Sequence, residues 1–189
     1  MNASPDTCWT LLSRREGPDL RIFRVRFDRY RIAPTDIERD FVVLDGPDWV
    51  NVVPLTDDGE VVLVRQFRHG SGRVTLEVPG GVVNRGEDPA AAALRELREE
   101  TGCAARSIEP IGALNPNPAI QTNRCHFFLA RGVVPDGPPE PDEAERIEVV
   151  RVPRRDVPRL VGEGAFDHAL VALAFGFAGL IDGPLSGTR

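Results

Sequence analysis

Residues 81–103 read GVVNRGEDPAAAALRELREETGC, and the spacing inside this stretch decides the fold. Residues 89–98 predict a helix: a proline in the first turn, four alanines, Leu94 and Leu97 as apolar contacts, and no interior glycine. Gly102 stands where a C-terminal cap belongs. On that helix Glu96 and Glu100 lie one turn apart and Glu99 is three residues from Glu96, so the three carboxylates share a face. Like charges at this spacing repel by roughly 0.2–0.5 kcal/mol per pair in an isolated helix. A cluster that opposes its own helix calls for a compensating cation. Oxygen-only ligands select a hard divalent ion, Mg²⁺ first and Mn²⁺ second. Magnesium held by a few carboxylates and completed by phosphate oxygens makes a phosphoryl-transfer site.

Taken alone, ELREE also fits a solvated acidic face with Arg95 and Arg98 as its partners. Glu87 and the glycines at fixed distances weigh against that reading. Gly80 and Gly81 end an apolar, strand-like run over residues 76–79, and a loop over residues 82–88 leads into the helix. A strand, a tight glycine turn and a carboxylate helix set backbone carbonyls beside the acidic face.

The 189 residues suffice for one core with a short accessory element. The net charge of −6 argues against a general nucleic-acid binder. No run approaches 18 apolar residues, and MNASPDTCW has neither a basic start nor an apolar stretch, so a cytoplasmic protein with no membrane partner is expected. Cys8, Cys103 and Cys125 are odd in number and unpatterned, which suggests neither a disulfide framework nor a zinc site. All 23 basic residues are arginine, a side chain suited to bidentate phosphate contacts.

Strands come first, then the acidic helix, then strands and a final helix. Residues 20–32 alternate as Ile22, Arg24, Arg26 against Phe23, Val25, Phe27, with Asp28 and Arg29 near a turn. Further strands are expected over residues 41–44, 49–54, 61–67, 125–130 and 147–152. Asp57-Asp58-Gly59 reads as a hairpin turn, residues 135–141 as a proline-rich loop, and residues 165–180 as an apolar helix interrupted by Gly176 and Gly179. Residues 1–50 are expected to form an N-terminal strand segment and residues 51–189 the main domain. Fifty residues are too few for a core of their own, so Phe23, Val25, Phe27 and Trp49 are expected to bury across a two-fold homodimer.

The full pattern, G-x5-E-x7-R-E-U-x-E-E-x-G-U with U a bulky apolar residue, resembles the Nudix box; only Cys103 is smaller than usual. Seven fixed residues at about 6% background each make a chance match on the order of 10⁻⁹ per start position. Gln66-Phe67-Arg68 and Glu77-Val78-Pro79-Gly80-Gly81 resemble the sequences that precede the box in the ADP-ribose pyrophosphatase and nucleoside-diphosphate-sugar branch of that family. The resemblance implies an α/β fold: the Nudix α/β/α sandwich with a mixed sheet, plus a small N-terminal antiparallel strand element of the kind that forms dimers.

It also implies roles. Glu96 and Glu100 match the principal metal-binding glutamates, Glu99 a third carboxylate, and Gly80 a position whose carbonyl completes the shell of two or more Mg²⁺ or Mn²⁺ ions. Arg95 orients box carboxylates, Glu87 supports them, and Arg68 matches an arginine on the substrate's phosphates. Glu143 or Glu145 occupies the region of a catalytic loop glutamate, although a mobile acidic loop explains either one equally well. Trp49 and Phe67 are candidates for stacking on a base or for the core. His69, His126 and His168 read as structural or exposed.

Pro118 lies sixteen residues beyond Gly102, as in the ADP-ribose branch, but its surroundings carry Asn117, Ala119, Gln121, Asn123 and Arg124 where that branch has a glycine and an acid. Neutral donors there suit several sugars. The expected reaction is metal-assisted hydrolysis of the pyrophosphate bond in a nucleoside diphosphate linked to another moiety, ADP-ribose or a nucleotide sugar. Alternatives are another Nudix pyrophosphohydrolase (pool-sanitising, dinucleotide or RNA-cap) and a non-catalytic ligand-sensing domain.

Overall fold

The computed structural model describes residues 7–142 and 146–181. By contacts the chain forms two units, Met1–Pro47 with Asn115–Arg124, and Asp48–Leu114 with Cys125–Arg189.

The first unit is a three-stranded antiparallel sheet, β1 (Trp9–Asp19), β2 (Arg24–Ile32) and β3 (Ile37–Asp45). Residues 115–124 are stitched to β3: the Leu44 amide donates to Ile120 O at 2.7 Å, and Thr122 Oγ1 to Asp45 Oδ1 at 2.6 Å. Two expectations need correction here. β2 runs unbroken through Asp28 and Arg29, because Asp28 is buried and bound by Arg26 at 2.8 Å and faced by Arg14 at 3.6 Å. Those ion pairs hold a turn-type residue in the sheet, and the turn falls at residues 20–23 instead. The apolar residues left open also differ from those expected. Val25 is buried within the chain, whereas Trp9, Leu11, Ile22, Ile37, Phe41 and Val42 are exposed. Trp9, Tyr30 and Phe41 meet edge to face on one side of this sheet.

The second unit is a mixed sheet between helices. β4 (Trp49–Leu55), β5 (Glu60–Arg68), β9 (Ser107–Leu114), β10 (Cys125–Arg131) and β12 (Ile147–Pro153) run in the order β12-β5-β4-β10-β9, with β10 parallel to β4. Alternation along the strands sorts the core into two layers. Val50, Val52, Val62, Phe128 and Ala130 pack under α1 (Pro89–Thr101) with Ala92, Ala93, Leu97 and Cys103. Val53, Leu55, Val61, Leu63, Phe127 and Leu129 face α2 (Val157–Gly162) and α3 (Ala169–Phe177) through Val157, Val171 and Phe175. Cys103, small for its position, is fully incorporated in the first layer. β8 (Cys103–Ala104) and β11 (Val134–Pro135) form a separate ribbon.

β4 and β5 pair only at Leu55↔Val61 and then part. β6 (Arg73–Glu77) takes the edge of β5, and β7 (Gly80–Val82) takes that of β4, with Trp49 opposite Val82 and Asn51 opposite Gly80. This fork is where the site opens.

α1 starts at Asp88, whose Oδ1 accepts the amides of Ala90 and Ala91 at 2.9 and 3.2 Å, and it runs three residues beyond the expected end. The final helix is shorter than expected. Residues 165–168 are not helical, because Phe166 leaves the helix path to pack on Phe175, 4.9 Å between ring centroids. Among the described residues no helix is long and apolar enough to cross a membrane.

Gly102 closes α1 with φ 66° and its amide on Arg98 O at 2.7 Å, and an added Cβ would lie 2.9 Å from Pro138 C and Pro139 N. Gly102→Ala should therefore lose at least about 1–2 kcal/mol. Urea denaturation measures this, and wild-type stability of the variant would show that the left-handed cap is not required.

Candidate active site

The glycine turn and the acidic helix meet directly. The Glu96 carboxylate lies so close to Gly81 that an added Cβ would sit 2.5 Å from its Cδ. One turn further along, Glu100, 3% exposed, accepts the Gly80 amide through Oε2 at 3.0 Å. Arg95 ties the arrangement together. Its Nε and Nη2 donate to Glu87 at 2.9 and 3.1 Å, Nη2 also to Val82 O at 3.0 Å, and Nη1 to Glu96 Oε1 and Glu99 Oε2 at 2.8 and 2.9 Å. The Arg95 hydrogen bond, helped by the Asn84 amide, pulls the Glu87 carboxyl down to about 2. Glu87, on the same terms, raises Arg95 against the opposing effect of its own burial. Arg98 pairs with Asp136 instead of the helix carboxylates.

The expected repulsion is thus met first by an arginine. Among the described residues no three His, Cys, Asp or Glu side chains already converge on one point. The donor set nevertheless suits Mg²⁺ or Mn²⁺. It is all oxygen, and it comes from one helix face and the adjoining turn.

A cavity of about 430 Å³ extends from this turn through the fork between β4 and β5. Trp49, Asn51, Gly80, Gly81 and Val82 line one part of it, and Arg68, Ser71, Thr75, Glu77, Asp167 and His168 another. Asn51 Nδ2 is buried there without a hydrogen-bond partner. Arg68 grips Glu77 in bidentate fashion, Nε to Oε1 at 2.8 Å and Nη2 to Oε2 at 2.7 Å, while Thr75 Oγ1 donates to Oε1 at 2.5 Å. Glu77 is 3% exposed. Burial pushes its carboxyl upward, but donation from Arg68, His168 and Thr75, with the charge of Arg68, outweighs burial and holds it far below the usual range.

Of the expected site residues, Glu96, Glu99, Glu100, Gly80 and Arg95 meet at the turn, and Trp49 and Arg68 line the cavity. Phe67 does not line it: as its neighbour on β5 turns Arg68 inward, Phe67 points away, 49% exposed and edge to face with His69. Pro118 is exposed and Asn123 buried, both in the first unit. Glu143 and Glu145 lie outside the described residues. Sequence reasoning missed Asn51, Thr75, Asp167 and His168, and gave Glu77 no role. Asn51 within WVNVV and Glu77 within TLEVP are polar residues inside strand runs, a pattern that marks a buried group with a task. A larger cleft, about 690 Å³, lies at the opposite ends of β4 and β5 around Asp57 and Arg154, and contains none of the expected residues.

A helix of carboxylates seated on a glycine turn at the fork of a mixed sheet defines the class. A model of the NUDIX domain matches residues 47–172, and the chain belongs to that family. It is 38% identical over 120 residues to an ADP-ribose pyrophosphatase of Bacillus subtilis (strain 168), covering 63% of this chain and 65% of the relative. It is 37% identical over 129 residues to an ADP-sugar pyrophosphatase of Mus musculus, covering 62% and 58%. The chain thus spans less than two thirds of the length of these relatives. The crystal structure of an ADP compounds hydrolase superposes with a TM-score of 0.82 over 92% of this chain and 93% of that one, at 23% identity, which shows a shared fold.

Removing Arg68 leaves Glu77 buried and unpaired. Because Arg68 is itself 45% exposed, Arg68→Met should cost about 2–3 kcal/mol at pH 7, below the range for a fully buried pair. Glu77 is depressed in the folded state, so the pair's contribution is present above the unfolded carboxyl pKa and fades as pH falls through and below about 4. Urea titrations of both proteins at pH 7 and pH 3.5 test this, and a pH-independent difference would remove Glu77 from the account.

Proposed function

We propose that the protein hydrolyses the pyrophosphate bond of a nucleoside diphosphate linked to a sugar, ADP-ribose among its substrates, with Mg²⁺ or Mn²⁺. The observation that carries this reading is the pairing of Glu96 and Glu100 with the glycine turn at the head of a cavity whose wall presents Arg68. The ADP-linked substrates named for the Bacillus subtilis and Mus musculus relatives support the choice of substrate class.

Glu96, Glu99, Glu100 and the Gly80 carbonyl would hold two or more ions. Bound Mg²⁺ or Mn²⁺ supplies charge neutralisation at the diphosphate and acidifies water. Arg95 holds Glu96 and Glu99 on one nitrogen and aims them, so that little reorganisation is needed when the substrate arrives. Arg68, fixed by Glu77, turns positive charge toward the phosphates. We assign the removal of water's proton to Glu143 or Glu145, as the resemblance of PDEAERIEV to the family's catalytic loop implies. Trp49, which lines the cavity, is assigned to stacking on a base. Three free cysteines suit a reducing compartment, in keeping with a cytoplasmic enzyme.

EDTA should abolish activity, and Glu100→Gln should lower kcat by roughly two or more orders of magnitude with an unchanged melting temperature, since the amide oxygen still accepts the Gly80 amide. Phosphate release from ADP-ribose, coupled to a phosphatase, is the measurement. Full activity of either preparation would overturn the metal assignment.

We also propose a homodimer closed through the first unit, whose sheet exposes Trp9, Leu11, Ile37, Phe41 and Val42. Light scattering at micromolar concentration should give twice the 20.7 kDa chain mass. Trp9→Asp with Phe41→Asp should give monomers, and a monomeric wild type would end this reading.

A further inference from the structure

We propose that His168 is a substrate-binding residue whose Nε2 edge, beside the Asp167 carboxylate, accepts hydrogen bonds from the hydroxyls of a sugar. This rests on the reading of the cavity as the site for a sugar-bearing nucleoside diphosphate.

The geometry sets the ring. His168 immediately precedes α3 in extended backbone, φ −147° and ψ 113°, and its carbonyl receives the amides of Val171 and Ala172 at 3.1 and 3.2 Å. The start of the helix therefore fixes its position. Its Nδ1 is buried without a hydrogen bond of ordinary geometry and faces Glu77 Oε2 at 3.5 Å. The side chain is 40% exposed all the same, so the exposure belongs to the rest of the ring and side chain, and His168 lines the cavity.

An acceptor on the Nδ1 side keeps the proton on Nδ1 and leaves Nε2 with a lone pair. Arg68 already engages both oxygens of Glu77. A lone pair has nothing to offer a phosphate, whose oxygens only accept. It does take a hydroxyl proton. Asp167, 55% exposed and adjacent in the chain, lines the same cavity as a second acceptor, and two neighbouring acceptors suit the vicinal hydroxyls of a sugar. The Arg73 guanidinium lies 3.9 Å from Asp167. The cavity is thereby divided: a cation (Arg68) for phosphate, acceptors (His168, Asp167) for hydroxyls.

Those hydroxyls belong either to the nucleoside ribose or to the sugar beyond the diphosphate. Calorimetric binding in Mg²⁺ separates the two with three α,β-methylene probes, which cannot be cut at the diphosphate bridge. The first is the ADP-ribose analogue. The second has the distal sugar replaced by methyl. The third keeps the distal sugar on 2′,3′-dideoxyadenosine. His168→Ala should bind the first about 10-fold more weakly, the loss of one neutral hydrogen bond in a half-open site. It should bind the second or the third, but not both, as tightly as wild type, and the unaffected probe is the one that lacks the recognised hydroxyls. His168→Gln, which keeps an acceptor, should recover part of the loss, and matched melting curves show that both variants fold. Equal weakening for all three probes would make His168 a brace for Glu77, and no weakening, or no probe binding to wild type, would equally overturn the proposal. Hydrolysis of ADP-ribose is read separately: its absence would end the hydrolase reading while the binding arms still decide the role of His168.

Discussion

One guanidinium holds the acidic helix together. Three glutamates on one helical face and a fourth in the preceding loop form an arrangement that would favour an open loop and a frayed helix if left alone. Arg95 answers it by spending all five of its donors locally: two on Glu87, one on the Val82 carbonyl, and one each on Glu96 and Glu99. Each exposed pair is weak, but a network centred on one rigid, planar cation loses side-chain freedom only once. The same contacts that offset the repulsion also fix the loop over the helix and set Glu96 against Gly81. A lysine has one point of charge and cannot reach four partners in a plane, which is why the position demands arginine.

The second constraint is the fork in the sheet. β4 and β5 are neighbours at Leu55 and Val61 and are separated by β6 and β7 beyond. A continuous sheet would have filled that space with paired backbone. The fork replaces it with a cavity that reaches the glycine turn at one place and Glu77 at another. The polar residues that point into it, Asn51, Thr75 and Glu77, are therefore buried residues of strands, and each would be costly in an ordinary core.

Local spacing and long-range pairing were not equally legible in the chain. The helix, its cap at Gly102, the alternating central strands and the carboxylate face follow from periodicities of a few residues, and the structure reproduces them. What the sequence hid depends on partners far away. Asp28 reads as a turn until Arg14 on the neighbouring strand is known to lie within ion-pair distance. Phe67 reads as core or stacking partner until the pleat of β5 is fixed by Arg68 turning toward Glu77. His168 reads as a structural or exposed histidine because α3 could as well have begun four residues earlier; Phe166 packs on Phe175 instead, and His168 lines the cavity.

The pairing of Arg68 with Glu77 shows how such hidden contacts serve a site. A carboxylate buried to this degree is costly, and a pair of similar volume made of apolar side chains would stabilise the sheet at least as well. What the ion pair supplies instead is direction. Bidentate contact leaves the guanidinium one orientation, with Thr75 and His168 holding the carboxylate from its other sides. An arginine already oriented loses little freedom when an anion arrives. The net charge of −6 is then no obstacle to a phosphate-bearing ligand, because the field at the cavity is set by the few groups that line it rather than by the surface as a whole.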